Sequence, residues 1–238
     1  MSRPPLRVPV EQLAAGDHPL PPEAAAYVAR VHRLVAGDRV VVFDPDRALE
    51  ADAEIADVGK RAVIVRVGEP RPARRPARAI TLIQGIGKGD KMDAIVRDAT
   101  ELGATRIVPA LCDRSVARPD ATRAARWRRI AVEAARQCGR GDVPVIAPPT
   151  PFADAVRTAE GACFCLDPHA DRALGDALGS TLAVTFAVGP EGGLADGELV
   201  AAEQAGFVRA SLGPFVLRTE TVCAAVLGAL LVRATAAT

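Results

Sequence analysis

The chain has 238 residues, 49% of them hydrophobic and 25% charged, with a formal net charge of +1 at neutral pH. That composition buries a sizeable core in one large domain or two modest ones and excludes a largely disordered chain. The longest apolar run, Val222 to Val232, is far short of the roughly 20 residues that span a bilayer, and the start Met1 to Pro5 lacks the apolar stretch of a secretory leader. Five cysteines without a Cys-x-x-Cys pair and three scattered histidines, His18, His32 and His169, give no disulfide framework and no metal site. The expected compartment is the cytosol.

In chain order, an Ala-rich helix is expected from about Pro22 to Leu34, with prolines at its start and Gly37-Asp38 beyond its end. Strands follow at Arg39 to Phe43, Ala51 to Ile55 and Ala62 to Val67, so residues 1–70 read as a small β-barrel domain. The proline-rich stretch after them reads as a linker over 71–78. Residues 79–238 then alternate in the α/β manner. Strands are expected at Ala79 to Gln84, Arg106 to Leu111, Ala162 to Leu166, Leu182 to Val188 and Arg209 to Leu212, with a short extended piece at Pro144 to Ala147. Helices are expected at Lys91 to Leu102, Asp120 to Cys138, Phe152 to Ala159, Arg172 to Leu178, Asp196 to Ala205 and Thr219 to Arg233, with Asp196 as an N-cap.

Charge is segregated along the chain. Two stretches, Arg71 to Arg97 and Arg114 to Arg140, are rich in Arg and Lys, whereas Glu160 to Glu220 is more acidic. Basic patches attract phosphate backbones, so the middle third is either a nucleic-acid footprint or, over Arg123 to Arg140, the solvated face of a helix. Trp127, inside that helix, reads as a core anchor.

Two glycine-rich turns carry the chemistry. Gly189-Pro190-Glu191-Gly192-Gly193 follows an apolar strand and precedes a helix, the position at which open α/β sheets bind ligands. Glycine there allows positive φ and close approach of backbone N–H groups. It matches neither a dinucleotide nor a Walker-type phosphate motif. Leu212-Gly213-Pro214-Phe215-Val216-Leu217-Arg218-Thr219-Glu220-Thr221 follows the next strand, so the two Gly-Pro turns are expected side by side. Arg218, Thr219 and Glu220 bring a cation, a hydroxyl and a carboxylate to one helix start.

These motifs, with Glu101-Leu102-Gly103 and Glu133 to Arg140, closely resemble the small-subunit ribosomal RNA uridine-N3 methyltransferase E family, and the resemblance runs over essentially the whole chain. The first third is similar to that family's PUA-like barrel through Arg30 to Leu34 and Gly37-Asp38. The chain departs at His32, where an aliphatic residue is usual, at Arg97, where lysine is common, and at Phe215, where a basic residue is frequent. The resemblance implies a SPOUT-type methyltransferase domain with a deep trefoil knot, S-adenosylmethionine held by the knotted backbone, and a homodimer. It further implies action on small-subunit ribosomal RNA or the assembled small subunit. Methylation at uridine N3 requires a pocket aiming the methyl group, a base for the N3 proton and a cation for the anion left behind.

On that reading the donor is held at Leu166, Val188, Gly189, Glu191, Gly192, Gly193, Leu212, Gly213, Pro214, Leu217 and Thr219. Arg218 faces the base being methylated, and Glu220 or Glu191 removes the proton unless Glu191 only orients its turn. RNA contacts are expected from Arg30, Arg33, Lys88, Lys91, Arg126, Arg129 and Arg140. The alternatives are a SPOUT enzyme acting on another RNA or base atom and a non-catalytic RNA-binding module.

Overall fold

The computed structural model describes residues 5–60, 62–115, 121–178 and 182–235. It divides into two compact units, Met1–Arg75 with Ala135–Val143, and Pro76–Ala134 with Pro144–Thr238.

The first unit is built on a six-stranded mixed sheet. β1 (Leu6–Pro9) runs parallel to β3 (Arg39–Asp44), and β3, β4 (Leu49–Val58), β5 (Val63–Val67) and β2 (Gly16–Pro19) follow in antiparallel order. In β4 the burial alternates residue by residue, so Ala51, Ala53 and Ile55 enter a core with Val8, Val28, Val42 and Val65. β6 (Arg71–Pro72) pairs with β4, so the start of the expected linker is a strand of this sheet. The expected single helix is two pieces: α1 (Pro22–Ala26), opened by proline, and a π-helical turn over Tyr27–Val31.

Residues 135–143 group with this unit, which differs from a second domain running unbroken over 79–238. The reason is a local clasp: the Gly141 N–H donates to Arg74 O at 2.6 Å, Arg7 donates to Arg140 O at 3.4 Å, and Arg136 lies on the Tyr27 ring at 4.1 Å.

In the second unit every strand is parallel. β7 (Ala79–Gly85), β8 (Arg106–Leu111), β9 (Val145–Ile146), β10 (Thr150–Pro151), β11 (Ala162–Leu166), β12 (Ala183–Val188) and β13 (Val208–Ala210) form a sheet in the order β10-β8-β7-β12-β11-β13, with β9 also on β8. The central strands β7 and β12 are buried almost throughout, as strands covered on both faces must be. α4 (Phe152–Arg157) and α6 (Asp196–Gln204) cover the face bearing Ile83, Cys165 and Ala187. α2 (Lys91–Glu101) packs on α7 (Thr219–Thr235), which buries Cys223, Val226, Leu227 and Leu230 at helical spacing. α5 (Leu174–Ala177) is one turn, and α3 (Ala121–Cys138) is the basic helix; Asp120, its expected start, lies outside the described residues.

The N-terminus of α6 also differs from expectation. Ala195 is the cap, and the Glu198 carboxylate accepts its N–H at 2.8 Å, so Asp196 lies inside the first turn. Among the described residues no helix is long and apolar enough to cross a membrane.

Trp127 anchors α3: it is 1% exposed, and its indole N–H donates to Asp93 of α2 at 3.1 Å. Trp127→Ala is expected to lower the unfolding free energy by about 3–5 kcal/mol in a urea titration. Trp127→Phe, which keeps most of the volume and removes the hydrogen bond, is expected to recover more than half of that loss.

Candidate active site

The carboxyl ends of β11, β12 and β13 converge on a cavity of about 760 Å³. Their order corrects one expectation. β11 stands between β12 and β13, so the two Gly-Pro turns are separated by the Leu166-Asp167 corner and both reach the same cavity. Leu166, Val188, Gly189, Glu191, Gly192, Gly193, Leu212, Leu217, Arg218 and Thr219 line it, as do Lys91, Phe215 and Val216. Gly213, Pro214 and Glu220 are not on its wall. Gly193 and Gly213 hold φ of +71° and +111°, where a side chain is strained, so these two positions need glycine. Close approach explains a third: a Cβ on Gly85 would lie 2.5 Å from Pro190, which lets the end of β7 touch the Gly189–Gly193 turn.

A buried polar clamp fixes these turns. The Gln84 side chain, fully buried at the end of β7, donates from Nε2 to Thr219 Oγ1 at 2.8 Å and to Gly85 O at 3.1 Å. The Thr219 hydroxyl donates to Gly189 O at 2.8 Å. Thr219, the first residue of α7, is thereby tied to the end of β12, and it holds the turn through its side chain.

The charged groups have distinct settings. Lys91 Nζ lies 3.0 Å from Glu191 Oε1 and 3.7 Å from Glu220 Oε2. Glu191 also accepts the Lys88 N–H at 3.0 Å. Burial pushes the Glu191 carboxyl up, but hydrogen bonds from its own backbone, Lys91 and Lys88 outweigh it and hold the group below the ordinary carboxylate value. Glu220 Oε2 is buried and has no hydrogen-bond partner among the described residues. Arg218 is exposed and, among the described residues, carries no ion pair. Its guanidinium is a free cation on the cavity wall.

Several site residues carry no sequence motif. Asp167 is 8% exposed, accepts the His169 N–H at 3.0 Å and is gripped by the Arg209 guanidinium. Arg114 donates to Gly192 O at 2.8 Å, and Glu198 accepts the Asp113 N–H at 3.0 Å, so the β8 corner closes over the glycine turn. The one signal available was position: Asp167 and Arg114 each follow a strand at its carboxyl end. Cys165 and Cys223 are buried, their thiols pushed up to about 12 by that burial, and take no part. Among the described residues no group of His, Cys, Asp or Glu could hold a metal ion.

The cations expected on RNA divide. Arg30, Arg33, Lys88 and Arg129 are exposed. Arg126 is ion-paired to Asp93, and Lys91 is held between its two carboxylates. Arg140 is corrected: it is 6% exposed and forked on Asp142 at 2.7 and 2.9 Å, so it is a buried clasp with no face for a phosphate.

A parallel α/β sheet with glycine turns at its carboxyl ends, preceded by a separate mixed-sheet unit, is shared with known proteins. The model of the RNA methyltransferase domain matches residues 74–231, and that of the RNA methyltransferase PUA domain matches residues 20–68. The chain is therefore an RNA methyltransferase of the PUA-bearing class. The ribosomal RNA small subunit methyltransferase E of Synechocystis is 33% identical over 91% of this chain and 73% of that protein. Its counterpart in Bacillus subtilis is 31% identical over 84% of this chain and 83% of that protein. A crystal structure of the Neisseria gonorrhoeae enzyme of that name, bound to S-adenosylmethionine, superposes with a TM-score of 0.90 at 29% identity, covering 96% of this chain and 98% of that one. A methyltransferase of Legionella pneumophila with bound cofactor SAM gives the same TM-score at 31% identity, with the same coverage of both chains. This chain belongs to the ribosomal RNA small subunit methyltransferase E family.

The Asp167 grip gives a prediction with a definite pH dependence. Burial pushes the Asp167 carboxyl up, but the His169 N–H and Arg209 outweigh it and lower its pKa below the ordinary 3.8. A group depressed on folding contributes stability above its unfolded value and loses that contribution as pH falls through the folded one. Asp167→Asn is expected to cost about 1–2 kcal/mol at pH 7, the low end of the charged hydrogen-bond range because Arg209 is partly solvated. The gap between the two proteins should shrink below about pH 4, which denaturant titrations at pH 7 and pH 3 measure.

Proposed function

We propose that this chain methylates N3 of one uridine in small-subunit ribosomal RNA, with S-adenosylmethionine as donor. The observation that carries the reading is that both glycine turns and Arg218, which makes no ion pair among the described residues, open onto one and the same cavity. Its volume, near 760 Å³, suits a nucleoside-sized ligand. Leu166, Val188, Leu212 and Leu217 offer apolar walls to an adenine, and the Gly189–Gly193 backbone offers donors and acceptors at close range. The residues present therefore fit the donor, which supplies an electrophilic methyl group on a sulfonium sulfur.

The N3–H bond breaks, the N3 electron pair forms the new bond to the methyl carbon, and the sulfur leaves as a neutral thioether. Arg218 is assigned to the uracil oxygens, where negative charge develops as the proton leaves. Glu220, next in the chain to Thr219 of the cavity wall, is assigned to accept that proton, because among the described residues its Oε2 takes no hydrogen bond and only the longer ion pair to Lys91 at 3.7 Å. Glu191 is assigned to orientation. With its pKa lowered and its oxygens bonded to Lys91 and Lys88, it is a weak base and a firm brace. Exposed Arg30, Arg33, Lys88 and Arg129 are assigned to phosphates.

The finer reading includes a trefoil knot in the second unit, the N3 position, the cytosol and a homodimer. Leu231 and Val232, 47% and 70% exposed near the end of α7, support the last by offering apolar area to a second copy.

Two outcomes are expected. Arg218→Ala should cut single-turnover methylation a few hundredfold, the effect of losing a preorganised charge worth about 3–4 kcal/mol, while calorimetry finds donor affinity within severalfold of wild type. Nucleoside mass spectrometry of the product should place the methyl group on uridine N3. For RNA binding, Arg129→Ala should reduce the slope of log K against log salt by about 0.7 to 0.9, one phosphate contact. Arg140→Ala should leave that slope unchanged and lower thermal stability instead.

A further inference from the structure

Five of the six phenylalanines, Phe43, Phe152, Phe164, Phe186 and Phe207, are at most 4% exposed, and the sixth, Phe215, is 77% exposed. A fold that buries aromatic rings this consistently leaves one in water at a particular place. Phe215 lies on the segment between β13 and α7 and lines the cavity, three residues before Arg218, which lines it too and makes no ion pair among the described residues. The rim of the donor cavity thus presents a flat apolar ring and a free planar cation together.

The chemistry of the reaction gives that pair a partner. N3 lies on the pairing edge of uracil, so it meets a methyl donor in a cavity only after the nucleotide swings out of its stack. Unstacking a base costs free energy, and proteins that read single-stranded RNA offset that cost by stacking the freed base on an aromatic side chain. We propose that Phe215 is the stacking platform for the extruded target uracil and holds the ring plane while Arg218 engages its oxygens. This rests on the reading that the cavity takes the donor and an RNA base. Phe215 is then a substrate-binding residue that sets the pose of the base and leaves donor binding to the glycine turns. Val216, 76% exposed beside it, supplies apolar area without a π face, so ring character and mere hydrophobicity are separable by substitution.

The test uses the full chain, S-adenosylmethionine, and small ribosomal subunits from cells lacking the gene. Phe215→Leu keeps apolar bulk and loses the π face, and Phe215→Trp keeps both. Methylation of the subunits at limiting RNA should fall about tenfold to a hundredfold in Phe215→Leu and stay within severalfold of wild type in Phe215→Trp. Donor affinity by calorimetry and the sedimentation coefficient should be unchanged in both. Equal rates for Phe215→Leu and wild type would overturn the proposal. A Phe215→Leu protein whose oligomeric state changes, and whose rate returns at high protein concentration, overturns it in favour of a contact with a second copy. Wild-type protein that leaves uridine unmethylated overturns the functional reading itself, an outcome distinct from both.

Discussion

The Gln84 amide, the Thr219 hydroxyl and the Gly189 carbonyl form the contact on which the cavity depends. Gln84 is fully buried and Thr219 is 6% exposed, so water does not compete for either group. A hydrogen bond made under those conditions is expensive to lose, because its orphaned partner keeps the full desolvation cost. The three residues belong to β7, α7 and the turn at the end of β12, and Thr219 and Gly189 lie 135 and 105 positions from Gln84 along the chain. One small network therefore sets where two glycine turns stand relative to each other. Apolar packing of α7 against α2 fills space beneath it, but packing tolerates small shifts that two hydrogen bonds of 2.8 Å do not.

Above that clamp the charges are arranged in two states of commitment. Lys91, Glu191 and Arg114 spend their hydrogen bonds on the protein, bracing the Gly189–Gly193 turn from the side of α2 and from the β8 corner. Arg218, on the cavity wall, makes no ion pair among the described residues. A bonded group holds its geometry and resists a change of protonation, which suits a scaffold. An uncommitted group carries its charge or lone pair to whatever enters the cavity. The same distinction separates Arg140, forked on Asp142 and buried, from Arg129 on the exposed face of α3.

Apolar runs made most of the fold legible. The strand at Ala79, the strand ending at Val188 and the helix opening at Thr219 stand within a residue or two of where the residues put them, because parallel strands and buried helices carry dense hydrophobic signal. What escaped was short or polar. β1, β2, β6 and β10 have two to four residues each, several prolines among them, and exist because a neighbouring strand presents a free edge. The π-helical turn at Tyr27–Val31 shares its composition with an ordinary helix. In the site, the glycine turns and the Arg218 to Glu220 triplet were visible as motifs, whereas Gln84, Asp167 and Arg114 were not. Each is a single polar residue at a strand end, and its role comes from a partner far along the chain that no local pattern names.

The order of strands explains why the legible part was still misjudged in one respect. Consecutive strands are most often neighbours, which puts the turns after β12 and β13 side by side. Here β11 is inserted between them. The insertion brings Asp167 to the cavity between the two turns, so the ends of β11, β12 and β13 all contribute to its wall. A sheet wound in simple sequence would close the two turns on each other. The reversal between β12 and β11 opens the space that a nucleoside-sized ligand requires, and the Asp167–Arg209 grip ties β11 to β13 so that the opened edge stays in register.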